Sequence, residues 1–426
     1  MDRSASAGYT CSLAEELAAD ALDRFLRYVR IDTQAAYGSE TYPSTAKQLE
    51  LSRLLADELR ELGASDVELT EHGYVFATVP GDPDAPVVGL IAHVDTTPDV
   101  GGTDVQPVVH RGWDGSPIEL PGDTTQVLDP EDSEALAVRV GHDIVTSDGT
   151  TLLGADDKAG VAEIMAAASY LLRNPEPAHS TVRIAFTVDE EIGQGTRHFD
   201  LDAFGADAAY TLDGSGLGEL EVETFSADQV VITIRGRSFH PGTAKGKLVN
   251  AVKLAADLVA ALPADRLSPE TTEGREGFVH PNLIDATTEE AKIRFIVRDH
   301  DDALLAEHEA FLRALADEVV QREPRARVTV DVSETYRNMR PAIEAHPRVV
   351  AAAEEAIRRV GVEPVRALIR GGTDGAMLTA SGLPTPNLFT GGQEYHSVRE
   401  WLSVQDMAAA TATIVELARV WAEPDR

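Results

Sequence analysis

The sequence predicts an α/β fold: a mixed sheet flanked by helices, into which a smaller α+β domain is inserted. Two observations lead to this prediction. Short apolar runs that end in polar residues alternate with segments of helical apolar spacing, which is typical of buried strands and amphipathic helices. This rhythm changes after Asp213 and resumes near Asn338. A compact α+β segment therefore interrupts the α/β pattern.

The first part of the chain is predicted to contain three helices and a pair of strands. Apolar residues recur at helical spacing, and Gly63 is a typical stop signal. Alternation around Gly73 predicts the strands, and a long segment rich in Gly, Pro and Asp predicts irregular structure. The predicted helices are 13–29, 44–62 and 157–172, the strand pair lies within 67–79, and the irregular segment is 98–140.

Four further apolar runs are each followed by acids or by a histidine. A buried strand of this kind presents its last residue at the carboxyl edge of an open α/β sheet, where such sheets bind ligands. Two histidines and several carboxylates at one edge suit a cluster of divalent metal ions. The runs are 87–92 before His93, 183–188 before Asp189-Glu190-Glu191, 208–212 before Asp213, and 387–390, which a Gly-rich loop joins to His396.

The inserted domain is predicted to span residues 225–336. Its elements follow a linker at 214–218 in the order β-α-β-α-β: 229–235, 249–262, 291–297, 302–321 and 327–332. Because His396 comes from beyond this segment, the catalytic domain is predicted to combine residues 1–224 and 337–426.

Composition excludes several classes of protein. The net charge of -35 over 426 residues argues against binding to nucleic acid or to an anionic membrane surface. The single cysteine, Cys11, leaves no disulfide framework and no thiolate metal site. The chain lacks the pattern of a signal peptide and any apolar run near the roughly 18 residues of a membrane span. We expect a cytoplasmic protein.

His93 and Asp95 are two residues apart on a strand end, so their side chains point the same way. His93 could bind a metal through one ring nitrogen while Asp95 accepts a hydrogen bond from the other, which would fix the tautomer. The alternative is a buried histidine with a polar neighbour, which is the commoner meaning of an isolated H-x-D.

The acidic pairs Asp156-Asp157 and Glu190-Glu191 are the remaining candidates. Asp157 at a helix start could be an N-cap, whereas Asp156 could bridge two metals through its two oxygens. On extended backbone the side chains of Glu190 and Glu191 would diverge, so one could bind metal and the other act as general base. A charged loop end is the alternative, but two like charges repel unless a cation is near.

Two signals are weaker. Arg370 precedes a Gly-rich turn and a helical segment, which indicates either a carboxylate or phosphate site or an ordinary turn. His240 falls in the first loop of the inserted domain and by itself indicates only solvent exposure. No P-loop, H-E-x-x-H or G-x-S-x-G motif is present.

Together these residues resemble the M20 metallopeptidase family over nearly the whole chain beyond residue 20. Three segments, 240–246, 268–274 and 370–375, are similar to those of the family's tripeptide aminopeptidases. The matching segments are His93–Asp99, Leu153–Met165, Phe186–Gly193, Tyr210–Gly214, His240–Gly246, Ser268–Gly274, Arg370–Gly375 and Pro386–Gly392.

The resemblance implies a zinc-peptidase-like catalytic domain with two zinc ions, although cobalt and manganese also suit such ligands. It implies that residues 225–336 are a lid domain of the dimerisation type. The implied roles are His93 and Asp213 on one zinc, Glu191 and His396 on the other, Asp156 as the bridge, Glu190 as general base, Asp95 as the residue that orients His93, and His240, Asn338 and Arg370 as substrate-binding residues.

The implied activity is that of a di-zinc aminopeptidase, which uses a metal-bridging water to remove the first residue of tripeptides with a free N-terminus. A homodimer is left open. Another M20 chemistry, that of a dipeptidase, carboxypeptidase or N-acyl amino acid deacylase, would use the same metals and base. A non-catalytic binding protein would show loss of a ligand or of Glu190, and all are present. A phosphodiesterase or phosphatase is remote.

Overall fold

The computed structural model describes residues 8–424, so residues 1–7 and 425–426 of the predicted catalytic domain lie outside it. The chain separates into two compact units. The main unit contains the chain up to Val222, Pro341–Ala367 and the residues from Thr373 onward, and the second unit contains Glu223–Arg340 and Leu368–Gly372.

The described residues form helices and strands in alternation. The α-helices are α1 Ser12–Tyr28, α2 Gln48–Leu62, α3 Glu134–Ala137, α4 Ala155–Arg173, α5 Leu201–Phe204, α6 Ala251–Ala260, α7 Asp302–Arg322, α8 Arg340–Glu344, α9 Pro347–Arg359, α10 Asp374–Ala380 and α11 Val404–Ala422. None of these helices combines the length and apolar character needed to cross a bilayer.

The strands belong to four sheets. They are β1 Ser65–Leu69, β2 Val75–Val79, β3 Val88–His93, β4 Val108–His110, β5 Ile118–Glu119, β6 Val127–Leu128, β7 Ile144–Thr146, β8 Val182–Thr187, β9 Ala208–Gly214, β10 Glu219–Thr224, β11 Ser226–Arg235, β12 Phe278–Ala286, β13 Glu290–Asp299, β14 Arg327–Tyr336, β15 Val365–Ile369, β16 Asn387–Phe389, β17 Gly392–Gln393 and β18 Trp401–Ser403.

The largest sheet has the strand order β1-β2-β8-β3-β9-β16-β10-β15. Its four central strands, β8, β3, β9 and β16, are parallel to one another. These are the four apolar runs of the sequence, and their carboxyl ends share one edge. Antiparallel pairing at β2 and β10 makes the sheet mixed, so the predicted fold class is confirmed.

Two glycines have clear structural roles in the main unit, one where α4 packs and one where α2 ends. α4 packs against β3 and β9 and also against α1 and α11. Gly160 allows this close approach, because a Cβ atom there would lie 1.9 Å from the Leu212 carbonyl oxygen. Gly63 ends α2 with a left-handed φ of 92°, as its stop signal predicts.

The second unit is an antiparallel sheet of order β12-β13-β11-β14 with α6 and α7 packed on it. Inward residues alternate along β11 and β13, and opposite pairs such as Val230 and Phe295 meet in the core. Leu312 of α7 belongs to the same fully buried cluster. One face of the sheet therefore carries the hydrophobic core of this unit.

The structure corrects three elements of the prediction. The order β-α-β-α-β omitted β12, which is an edge strand with Pro281 next to a register shift, a placement that proline tolerates only at edges and bulges. The helix expected from residue 44 begins at Gln48. Residues 98–140 are irregular as expected, but they include the short elements β4, β5, β6 and α3.

Candidate active site

The candidate site lies where β8, β3, β9 and β16 end. β3 ends at His93 and β9 carries Asp213, while Glu190 and Glu191 follow β8 and His396 follows β16. α4 contributes Asp156 near its start. The parallel strands thus bring together residues that are up to 303 positions apart in the sequence.

Asp156 sits between two imidazoles. Its Oδ1 lies 3.0 Å from His93 Nε2, and its Oδ2 lies 3.2 Å from His396 Nε2. A second carboxylate accompanies each histidine: Asp213 Oδ1 is 3.6 Å from His93 Nε2, and Glu191 Oε2 is 3.0 Å from His396 Nε2. Two groups of ligand-type atoms are therefore joined through the two oxygens of one carboxylate.

The Asp157 carboxylate does not cap α4, contrary to one reading of the sequence. The N-cap position is Gly154, and the Asp157 Oδ2 atom accepts the backbone N–H of His93 at 3.1 Å. Asp157 also falls with His93 and Asp213 in a group whose ligand-type atoms lie within 4.8 Å of one another. It is thus a further acid beside the first histidine.

Asp95 is buried and has more partners than the sequence suggested. Its carboxylate accepts the backbone N–H groups of Glu190 and Glu191, at 3.0 and 3.1 Å. His93 Nδ1 lies 3.1 Å from the Asp95 carbonyl oxygen and 3.5 Å from its Oδ1. Asp95 therefore contacts His93 and also holds the turn that carries both glutamates.

Glu190 and Glu191 lie on a 3-10 turn, Glu190–Ile192, rather than on the extended backbone that the sequence predicted. Asp189 enters this turn with a left-handed φ of 60°. Glu191 Oε2 faces His396, whereas the described residues give the Glu190 carboxylate no hydrogen bond. The two glutamates are thus in different environments.

The pKa values of the acids and of His396 reflect how closely their charges lie together. Burial, reinforced by the charge of Asp156, raises the pKa of Glu191 to about 8 and that of Asp213 to about 6. Hydrogen bonds to Asp156 and Glu191 raise the pKa of His396 to about 11. These carboxylates therefore bind protons readily, and a metal ion could balance their negative charge in place of the protons.

The donor set fits two metal ions. Imidazole nitrogens and carboxylate oxygens are the usual ligands of zinc outside thiolate sites. Glu191 Oε1 and Asp157 Oδ1 are buried without a hydrogen-bond partner in the described residues, which is costly unless a cation is bound nearby. Asp156 has one oxygen for each of two ions.

The sequence placed Asp189 at this edge of the sheet but did not predict its role. Its carboxylate accepts hydrogen bonds from the Ser44 backbone N–H and hydroxyl and from Gln48 Nε2, at 2.5, 2.5 and 2.6 Å. Gln48 Oε1 accepts the Asp189 N–H in return. These bonds tie the turn of Glu190 and Glu191 to the start of α2.

Glu400 is a residue of the site that the sequence analysis missed. It is 1% exposed, and its carboxylate accepts three backbone N–H groups from the segment that leads to Asp156. Another such residue is Asn387, which accepts the Asp213 N–H and donates to Glu221. No local motif marks these residues, because their partners lie far away in sequence.

The three substrate-binding residues implied by the resemblance lie in the second unit. His240 is exposed, and its Nδ1 accepts the Gly242 N–H at 3.2 Å. In the neutral ring the proton is therefore assigned to Nε2. This atom can donate a hydrogen bond to a ligand.

Asn338 and Arg370 have protein partners. Asn338 Oδ1 accepts the backbone N–H of Arg340, and its Nδ2 donates to the His300 carbonyl. The Arg370 guanidinium donates to the carbonyls of Gly274 and Glu276 and to the hydroxyl of Thr272. These bonds give both residues a structural role within the second unit, and their contact with substrate stays a prediction.

The fold and the site define the chain as a metallopeptidase of family M20. The model of peptidase family M20/M25/M40 matches residues 143–420, and the chain belongs to this family. It is 45% identical to Peptidase T of Geobacillus kaustophilus over 402 residues, which are 94% of this chain and 98% of that protein. The predicted class of metallo-aminopeptidase, a hydrolase of peptide bonds, is thereby confirmed.

Solved structures share the fold. A tripeptidase from Staphylococcus aureus aligns with a TM-score of 0.75 and 21% identity over 95% of this chain and 98% of that chain. The YXEP protein of Bacillus subtilis, a dinuclear metal-binding M20 peptidase, aligns with a TM-score of 0.63 and 17% identity over 95% and 98% of the two chains.

Proposed function

We propose that the chain binds two zinc ions at the carboxyl edge of the main sheet and removes the N-terminal residue of tripeptides. The observation that carries the proposal is the position of Asp156, whose two oxygens face His93 and His396 at 3.0 and 3.2 Å. One carboxylate can thus serve two ions. The dinuclear M20 peptidase of Bacillus subtilis shares the fold.

The proposed ligands follow the two groups of atoms around Asp156. His93 and Asp213 hold one ion, and Glu191 and His396 hold the other. Asp95 positions His93 and, through its two backbone hydrogen bonds, the turn of Glu190. When bound, such an ion pair supplies a Lewis acid that polarises a carbonyl and acidifies water.

Glu190 is the proposed general base. It lies beside Glu191 on the 3-10 turn, and the residue is partly exposed. Burial and the surrounding acids raise its pKa well above the usual range, which makes it a competent proton acceptor once cations are present. It takes the proton of the attacking water and passes it to the leaving amine.

The inserted segment 225–336 is proposed to act as a lid. His240 would donate a hydrogen bond from its Nε2–H group to the oxyanion that forms at the substrate carbonyl, a contribution of the kind made by oxyanion-hole donors. Contacts of Asn338 and Arg370 with the peptide, and a homodimer through the lid, remain predictions.

The choice of tripeptides with a free N-terminus rests on relatives and on sequence. The segments 240–246, 268–274 and 370–375 resemble those of tripeptide aminopeptidases. One relative is named Peptidase T, and one solved structure of the same fold is a tripeptidase. The acidic surroundings of the site suit a positively charged amino group.

Product analysis by mass spectrometry tests this proposal. The zinc-loaded protein is incubated with a tripeptide of three different residues and, as a matched control, with its N-acetylated form. We expect release of the first residue from the free peptide only, and no cleavage of the remaining dipeptide. Release of the last residue would indicate a carboxypeptidase, cleavage of the dipeptide a dipeptidase, and attack on the acetylated form a deacylase; each contradicts the proposal.

A further inference from the structure

Glu400 occupies an unusual position next to the candidate metal site. It lies just before β18, and its side chain is buried. Its Oε2 accepts the backbone N–H groups of Leu153 and Gly154 at 2.8 and 2.6 Å, and its Oε1 accepts the N–H of Asp156 at 2.9 Å. One carboxylate therefore receives hydrogen bonds from three of the four consecutive residues 153–156.

The backbone of this segment is shaped around the carboxylate. Gly154 has a left-handed φ of 83°, a conformation that side chains rarely adopt. This conformation turns neighbouring N–H groups toward one point, as in the concave backbone sites that bind anions. The Glu400 carboxyl oxygens lie at this point and accept the N–H groups of Leu153, Gly154 and Asp156.

A buried lysine, Lys158, lies two residues after Asp156 on α4. The Lys158 side chain is 1% exposed, donates to the Ile31 carbonyl at 2.8 Å, and attracts both Glu400 and Asp95. Glu400 lies close to Asp156, whose charge repels it. Three backbone hydrogen bonds hold the Glu400 carboxyl group in place beside Asp156.

We propose that Glu400 is a positioning residue that fixes the backbone of Asp156, and through it the carboxylate that two metal ions share. This inference rests on the proposed ligand role of Asp156. The backbone bond to Asp156 N–H leaves both side-chain oxygens of Asp156 facing the histidines. Glu400 contacts the backbone next to Asp156, so we expect its effect to pass through the position of Asp156 and thus through metal binding.

Glu400→Gln is a sharp test because glutamine has the same shape but one acceptor fewer. If its carbonyl oxygen replaces Oε2, its NH2 group faces the Asp156 N–H, and two donors oppose each other. If the amide is flipped, two opposing donor pairs form instead. Either orientation displaces the segment that ends at Asp156.

Glu163→Gln is the matched control. Glu163 is a buried glutamate on α4, seven residues after Asp156. Its carboxyl oxygens have no hydrogen-bond partner in residues 8–424. The same substitution there removes a buried carboxyl without removing an acceptor that a backbone N–H uses. It should leave zinc affinity unchanged.

The measurement is zinc affinity by competition with a chromophoric chelator, together with the visible spectrum of the Co²⁺ form. We expect Glu400→Gln to weaken zinc binding by about 10- to 100-fold, as loss of outer-shell partners of metal ligands does, and to shift the Co²⁺ bands. Wild-type affinity and spectrum in the folded variant would overturn the inference. A wild-type protein that does not bind two zinc ions would instead refute the proposed function.

Hydrogen exchange in the wild-type protein keeps the test decisive if the variant does not fold. The amides of Leu153, Gly154 and Asp156 should exchange slowly in the metal-free protein, because they donate to a buried carboxylate although no helix or strand pairs them. Exchange of these amides at the rate of an unprotected loop would contradict the inference.

Discussion

The two adjacent glutamates give the most discriminating prediction. Glu190→Gln removes the proposed base but no proposed ligand, whereas Glu191→Gln removes a ligand that lies 3.0 Å from His396 Nε2. The two variants change the same chemical group at neighbouring positions of one 3-10 turn. They should therefore differ in mechanism rather than in stability.

The expected magnitude follows from the role of a general base. Such groups contribute about 10²- to 10⁴-fold, so kcat of Glu190→Gln should fall by that factor, which corresponds to about 3–5 kcal/mol of transition-state stabilisation. The described residues give the Glu190 carboxylate no hydrogen bond, so its loss should not disturb the turn that Asp95 holds. Zinc content should stay at two ions per chain.

The assay combines tripeptide hydrolysis with metal analysis of the dialysed protein. Glu191→Gln should lose affinity for one ion and lose activity with it, and excess zinc should restore part of that activity. Glu190→Gln should not respond to added zinc. A Glu190→Gln variant that kept more than about a tenth of wild-type activity, or that lost zinc, would refute the assignment of the base.

Four further predictions concern the rest of the molecule. His240→Ala should lower kcat by about 10²- to 10³-fold while zinc content stays unchanged, as loss of an oxyanion donor does. Gly160→Ala should lower the free energy of unfolding in urea by at least about 1–3 kcal/mol, because its Cβ would collide with the Leu212 carbonyl. Leu312→Ala should cost about 2–5 kcal/mol, since it leaves a cavity in the core of the second unit, and a loss below 1 kcal/mol would contradict that packing. The last prediction concerns Glu58. Burial alone would raise the pKa of its carboxyl group, but hydrogen bonds from Arg27 and Tyr28 outweigh this effect and lower the pKa. Such a group stabilises the fold above its unfolded pKa and loses this effect as the pH falls through the folded pKa, so Glu58→Gln should be less stable than wild type at neutral pH and equal to it in acid.

The sequence predicted the positions of the site's strands because that information is local. An apolar run followed by His93 or Asp213 indicates a buried strand with a polar side chain at its carboxyl end. The parallel order of β8, β3, β9 and β16 then brings these ends together. The assignment of ligands and base depends on the resemblance to the M20 family, and it stays a proposal.

The supporting contacts could not be predicted because they are long-range and use the backbone. Glu400 binds N–H groups about 245 residues earlier, and Asp189 binds Ser44, 145 residues earlier. Backbone N–H groups carry no side-chain signature, so nothing in the sequence marks these partners. At Arg370 a local motif was visible in the sequence, and it suggested either a ligand site or an ordinary turn. In the structure the guanidinium of Arg370 donates to carbonyl groups of its own unit.

The most direct test of the account is anomalous diffraction at the zinc absorption edge from crystals of the zinc-loaded protein. The account predicts two strong peaks, one near His93 and Asp213 and the other near Glu191 and His396, with Asp156 contacting both. A single peak, or two peaks without Asp156 between them, would contradict the shared-carboxylate centre on which the proposed function rests.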